Sequence, residues 1–435
     1  MIDIRSVTNS PAERTIDNLK RVYLDTPFLL KLVNEMLESL DYKFSGQRVL
    51  LKPNLVSHNK LSSDMFCLRT HDNFILATLE AVLQKRPERV LLGDAPVQGC
   101  DWQKIFSKDF LNKINDLGKK YNIEVVVKDF RKRFFTYTGS SRFKEINPDS
   151  EFVTFDLGEN SFLEEISIES KNIFRVTDYA ADKLGEYHKR GTHKYCIAKD
   201  VFDSDVIISL SKAKTHQKTG ITNSMKNLVG LNGDKACLPH HRVGGVKNGG
   251  DCYSGGNPII KLAEKILELA NKNQDNSYYN LLRLLAFRIW RLSFPSKAQN
   301  LNAGWYGNDT TWRMVLDINR IAEFGKMDGS INVKPQRSLI SITDGIIGGQ
   351  GNGPLSPDPL PLGIVSVSDC LAALDMAICI LMGFDINRIP IVRASCKDLD
   401  LKSIKMSFNG KIVEFNDLSD YSIKTIPPPG WQGYL

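Results

Sequence analysis

Short apolar runs rich in β-branched residues alternate along this chain with stretches of helical periodicity, the pattern of a mostly parallel sheet flanked by helices. Val49 to Leu51, Val90 to Leu92, Glu124 to Val127, Val206 to Leu210, Leu339 to Ile342 and Ile364 to Val367 read as strands. Ile75, Leu79, Val82 and Leu83 recur at helical spacing behind Thr70, a predicted N-cap, and Pro87 must end that helix. Asn257 predicts a second cap, with Pro258 at the first helical position, and Ile259, Leu262, Ala263, Ile266, Leu267 and Ala270 then form one apolar face. Leu371 to Phe384 is apolar but too short to span a bilayer and carries Asp375, so it predicts a buried helix.

The chain is expected to be an α/β protein: a mostly parallel sheet flanked by helices, with a β-rich excursion and a C-terminal hairpin. Residues 1–127 and 331–435 would form the two parts of the core. Residues 128–200, rich in aromatic, serine and charged positions, would make the irregular, β-rich excursion. Residues 201–256 would give a strand with a basic, glycine-rich loop, and 257–330 a helical insertion. Within the insertion, Tyr278 to Phe294, after Gln274, Asp275 and Asn276, is apolar almost all round yet holds Arg283, Arg288 and Arg291. It reads as a helix partly buried on the main domain, with peripheral membrane contact through 278–294 as the alternative. Asn409-Gly410 between two alternating runs is a hairpin signal, and the tail Pro427 to Trp431 should run extended and dock through Trp431.

Charge is concentrated rather than spread. Residues 211–247 hold Lys212, Lys214, Lys218, Lys226, Lys235, Arg242 and Lys247 against the single acid Asp234, a net +6 in a chain whose total is +7. His216, His240 and His241 lie in the same stretch. Such a cationic segment suits a small anionic substrate, a metal, or both. Nucleic acid is not the expected partner, because the charge forms no stripe and no nucleic-acid module is recognisable. Eight scattered cysteines without a C-x-x-C pair predict reduced, buried thiols and no iron–sulfur cluster. With neither a spanning segment nor a secretory signal pattern, a cytoplasmic location is expected.

Polar residues cluster where the predicted strands end. Lys52-Pro53-Asn54, Gly93-Asp94-Ala95-Pro96, Ser211 to His216 and Thr343-Asp344-Gly345 each follow a strand. In an open parallel sheet ligands bind beyond the carboxyl ends of the strands, so Lys52, Asn54, Asp94, Lys214, His216 and Asp344 should meet in one crevice. Asp94 and Asp344 could equally cap the turns they start. His71 falls in the first turn of a helix, a poor place for a charged imidazole, and should be neutral. His58, His188 and His193 read as surface or loop residues. The glycine-rich stretch around Gly351 and Gly353, and the glycines flanking the basic segment, match neither a P-loop nor a dinucleotide fingerprint. Their amides could still cradle an anion, or the segments could serve as a lid.

Lys52-Pro53-Asn54, Thr70-His71, Gly93-Asp94-Ala95-Pro96, Lys212-x-Lys214-Thr215-His216, Lys226-Asn227-Leu228-Val229-Gly230 with His240 beyond, Gly307 to Arg313, and Asp344-Gly345 leading to Gly351-x-Gly353-Pro354 together resemble the family called domain of unknown function 362. The resemblance implies a cytoplasmic α/β protein of unassigned activity. Many members carry a ferredoxin-like cysteine set that this chain lacks, so electron transfer is not implied here. A looser similarity, at the level of fold, links the His and Lys pattern to nickel-pincer lactate racemases.

The residues themselves support an enzyme that holds a small anionic or phosphorylated ligand with Lys52, Lys212, Lys226 and Arg242, orients it with Asn54, Asn227, Gly351 and Gly353, and exchanges protons through Lys214, His216, Asp94 and Asp344. The alternative is a metal-dependent, oxidoreductase- or racemase-like enzyme with a divalent metal on His216, His240 and Asp344. A non-catalytic binder of RNA or of an acidic membrane is the third reading.

Overall fold

All six predicted strands lie in one sheet of eleven strands. The structure is a computed structural model and describes residues 1–58, 65–135, 143–168, 172–177, 179–255, 258–274, 276–293 and 301–435. The predicted Asn257 cap, Gly256, Asp275 and Phe294 lie outside those residues.

The strands are β1 (Ile2–Ser6), β2 (Arg48–Pro53), β3 (Arg89–Asp94), β4 (Glu124–Asp129), β5 (Val206–His216), β6 (Gly220–Thr222), β7 (Ser338–Asn352), β8 (Ser356–Leu360), β9 (Ile364–Ser368), β10 (Met406–Phe408) and β11 (Lys411–Ile412). Their order is β11-β10-β1-β9-β7-β5-β2-β3-β4, with β6 beside β5 and β8 beside β7. From β7 through β5, β2 and β3 to β4 the strands run parallel, and β9 joins β7 antiparallel. Burial on both faces explains the near-continuous apolar runs of the central strands. Val49, Leu51, Ile208, Leu210, Ile340 and Ile342 belong to the core on one face; Leu50, Ile207 and Ile364 belong to the core on the other.

The helices that bear on the site are α1 (Ile16–Leu24), α2 (Thr26–Ser39), α3 (Asp72–Gln84), α4 (Lys108–Tyr121), α5 (Ser224–Asn227), α6 (Pro258–Lys272), α7 (Tyr279–Ser293), α8 (Thr311–Phe324) and α9 (Leu371–Leu381). The first four cover one face of the sheet, burying Leu19, Leu29, Phe74, Leu79, Val82 and Phe110 in its core. Residues of α8 and α9, among them Met314, Ile318, Leu374 and Ile378, belong to the core on the opposite face. The β-rich excursion consists of a three-stranded sheet of Phe152–Asp156, Thr192–Ala198 and His188–Lys189, and a hairpin of Arg133–Phe135 with Phe143–Glu145. At the C-terminus β10 and β11 form the expected hairpin, with Asn409 and Gly410 at φ of 50° and 76°.

Three local expectations change. The cap of α3 is His71, whose Nδ1 accepts from Asn73 N at 3.2 Å, while the Thr70 hydroxyl donates to Leu210 O at 2.9 Å. The basic residues predicted to follow a strand are in the strand, because β5 continues to His216 between β6 and β7. Likewise Gly348 to Asn352 is the far end of β7, paired to β8, rather than a loop.

Candidate functional site

Side chains alternate along a strand, and that alternation divides the predicted site residues between the two faces of the sheet. Lys52 continues the row of Leu50, whereas Lys212 and Asp344 continue the rows of Leu210 and Ile342. The two buried ion pairs therefore lie on opposite faces, while Lys214, beyond an irregularity in β5, feels charges from both, Lys212 on one side and Lys226 and Asp94 on the other. On the α1–α3 face, Lys212 Nζ lies 2.9 Å from Asp344 Oδ2 and donates to Tyr23 Oη at 3.0 Å, and Tyr23 Oη donates to Asp344 Oδ1 at 2.5 Å. His71 N donates to Asp344 Oδ2 at 3.1 Å, and its ring stacks on Tyr23 with centroids 4.1 Å apart. Burial, then the charge of Asp344, pushes the Tyr23 phenol up. Burial pulls His71 down to about 4, so it is neutral, as its capping bond requires.

On the other face Lys52 Nζ sits 2.7 Å from Asp94 Oδ1 and donates to Asn227 Oδ1 at 2.9 Å. Leu55 N donates to Asp94 Oδ2 at 3.0 Å. Asn227 Nδ2 returns to Lys52 O at 2.9 Å, and Asn54 Nδ2 donates to Asn227 Oδ1 at 3.2 Å. The pair can form only because residue 230 has no side chain: a Cβ on Gly230 would lie 1.9 Å from Asp94 Oδ1 and 2.7 Å from Lys52 Nζ.

Helix α5 carries Lys226 and Asn227, and buried polar groups hold it on the sheet. Asp375 of α9 accepts from Ser224 N at 2.8 Å and Met225 N at 3.2 Å, capping the helix from outside. Ser341 Oγ donates to Ser224 Oγ at 2.8 Å, and Ser211 Oγ donates to Asn223 Oδ1 at 2.9 Å. These positioning residues were missed, although the alternate Ser209/Ser211 and Ser341/Thr343 in otherwise apolar strands were a readable signal.

Around Lys226 lies a cluster of lysines that share the charge of one nearby acid, Asp94. Burial, then Lys235, Lys218 and Lys52, pulls Lys226 down to about 7; burial, against the charge of Asp94, pulls Lys235 down to about 8. Lys214 is pushed well below the lysine range by burial and then Lys212; its Nζ donates to Leu68 O at 2.5 Å, not to a carboxylate. Among the described residues Lys226 makes no ion pair. Asp94, the acid whose charge Lys226 feels, is already paired with Lys52. His216 and His240 border the cluster and are held neutral, by burial first and then by Lys226 and Lys218. His216 Nδ1 accepts from Lys218 N at 3.0 Å, which leaves its proton on Nε2 as a donor. His240 Nδ1 faces Leu238 O at 2.7 Å and must carry the proton, so its Nε2 is an acceptor.

The family profile described as domain of unknown function (DUF362) matches residues 156–380, more than half of the chain. The chain belongs to this family. A thylakoid-associated protein of Synechocystis sp. is 21% identical over 387 residues, 88% of this chain and 78% of that protein. A crystal structure of a Thermotoga maritima protein aligns with 78% of this chain at 10% identity and a TM-score of 0.34, and this chain covers 56% of that one.

The DUF362 match takes in β5, α5, His240 and Asp344 and leaves Lys52, Asn54 and Asp94 upstream of it. The segment Gly307 to Arg313 within it touches the His240 backbone: Asn308 Nδ2 and Thr311 Oγ1 donate to His240 O at 2.9 and 2.7 Å. The other candidates read from the sequence are engaged within the protein. Arg242 faces Asp251 and Asp309, both at 3.7 Å. Gly351 N donates to Ile426 O and Gly353 N to Gly351 O, each at 2.8 Å, so neither amide is turned to an anion. His216, His240 and Asp344 do not form a ligand set: among the described residues no three His, Cys, Asp or Glu side chains are grouped to hold a metal ion. His188 and His193, expected to be surface or loop residues, are fully buried in strands of the excursion with their Nδ1 atoms 3.3 Å apart, and burial pulls His188 down to about 3.

Proposed function

We propose that this DUF362 chain binds a small phosphate- or carboxylate-bearing anion at the Lys226 cluster and exchanges protons with it. One observation carries the reading: Lys214, Lys226, Lys235, His216 and His240 depress one another's protonation or lose it to burial, and the nearby carboxylate is already spent on Lys52. Lysines gathered around a single carboxylate that is already paired repel one another, and a bound anion relieves that cost. The two histidines offer complementary edges, a donor on His216 Nε2 and an acceptor on His240 Nε2. Lys226 and Lys235, poised near neutrality, would gain protons as the anion arrives and could return one to it, the behaviour expected of an acid–base group matched to its working pH. Lys52–Asp94 and Lys212–Asp344 act in this account as rigid supports, and catalysis falls to the lysines and histidines of the cluster.

The test is a thermal-unfolding series with sulfate, phosphate, pyrophosphate and citrate on the full chain. The unfolding temperature should rise with the concentration of at least one anion, and Lys226→Met, which keeps the stem and removes the charge, should abolish that rise. If no anion stabilises the protein, or if Lys226→Met responds like the parent, the site is not an anion site.

A further inference from the structure

Helices α6 and α7 pack on each other and on the body through Ile260, Ala263 and Trp290, with Leu267 and Phe287 against them. Each carries a second apolar stripe beside the buried one. On α6, Ile259, Leu262 and Leu269 are each 50% exposed; on α7, Leu281, Leu284, Leu285 and Leu292 are 66%, 49%, 43% and 84% exposed. The spacings are helical, so on each helix the exposed residues fall on the side turned away from the buried row. A single exposed leucine means little, but seven large apolar residues exposed on two helices that share one buried cluster make an apolar outer surface.

The charges of the pair are sorted. Glu264 is turned inward and accepts from Gly244 N at 2.9 Å, and Glu268 pairs with Arg175 at 2.6 Å. Lys261, Lys265, Arg288 and Arg291 are exposed, and none makes an ion pair among the described residues. The outer surface of the pair is thus leucine-rich and cationic.

We infer that the outer side of the α6–α7 pair lies on an anionic lipid surface, with its leucines at the headgroup boundary and its Lys and Arg on lipid phosphates. Charge decides between lipid and a second copy of the chain, since two-fold packing through this patch would bring like charges together, whereas an anionic bilayer complements all of them. No helix of the described residues is long and apolar enough to cross a membrane, so the contact is with its surface. The inference is independent of the Lys226 cluster.

Co-sedimentation of the full chain with phosphatidylcholine vesicles, with and without phosphatidylglycerol, tests it. Binding should require phosphatidylglycerol and weaken with salt. It should fall by about tenfold or more in the Leu281→Ser/Leu285→Ser/Leu292→Ser variant and, separately, in the Arg288→Glu/Arg291→Glu variant. Unfolding temperature and the response to phosphate should stay at parental values in both, which separates failure here from failure of the anion site. If the leucine variant does not fold, the arginine variant decides. Absence of binding to the phosphatidylglycerol vesicles, or binding that neither variant alters, overturns the inference. So does a dimer in sedimentation velocity that the leucine or arginine variant converts to monomer, because the patch would then be covered by a second copy.

Discussion

At Gly230 one missing methyl group decides whether two charges can be buried together. Gly230→Ala should push Asp94 from Lys52 and lower stability by about 2–4 kcal/mol in urea denaturation, the scale of an overpacked or broken buried pair; a change below about 0.5 kcal/mol, the range of an ordinary surface substitution, would show that the pair can re-form around the methyl. The candidate residues were legible in the sequence as residues, since Lys52, Asp94, Lys212, Lys214, His216 and Asp344 all come just after short apolar runs and Lys226 lies in the one strongly basic stretch. Their partners were not. Which lysine meets which carboxylate depends on strand register and on the face each side chain takes, and an error over where β5 ends hid both. Tyr23, the third member of the Lys212–Asp344 centre, is in α1, far away in sequence and without a local signal.

Among the elements, β5 shows why the sequence stops short. Its first half is continuously apolar and reads as a strand; its second half is polar and reads as a loop, yet it is held in the sheet by β6 and β7. The strand ends against the C-terminal tail, where Trp431, fully buried, donates from Nε1 to Gln217 O at 2.7 Å. Docking of that tail was foreseen from its lone tryptophan; its place beside His216 was not. Trp431→Ala should destabilise the protein by about 3–5 kcal/mol, as large-to-small changes in a core do. It should also speed amide exchange at Gln217 to Gly220 more than in α3, and equal protection in the two segments would contradict the strapping role. Helix α5 is the opposite case, too short to announce itself by periodicity and dependent on Asp375 for its cap.

In the whole molecule, the architecture was the most legible level, because alternating apolar strands and amphipathic helices leave few ways to bury both faces of a sheet. The basic cluster gives the folded state a definite pH dependence. Lys226 titrates near 7 when folded and near 10.5 when unfolded, and Lys235 near 8 against 10.5. Between those values the unfolded chain binds more protons, so this contribution makes stability rise with pH from about 7 to about 10.5, and Lys226→Met should flatten the rise. Urea denaturation across that range would show it, and a parent curve that falls as steeply as the variant's would refute the cluster's electrostatics.

The same lysines make the proposed anion site directly measurable. We would titrate the full chain calorimetrically with phosphate and pyrophosphate at pH 8, in two buffers of different ionisation enthalpy. Binding should be saturable with net proton uptake, because a bound anion would restore the charge that Lys226 and Lys235 have lost, and Lys226→Met should lose both binding and uptake. Binding without proton uptake, or binding that survives Lys226→Met, would contradict it.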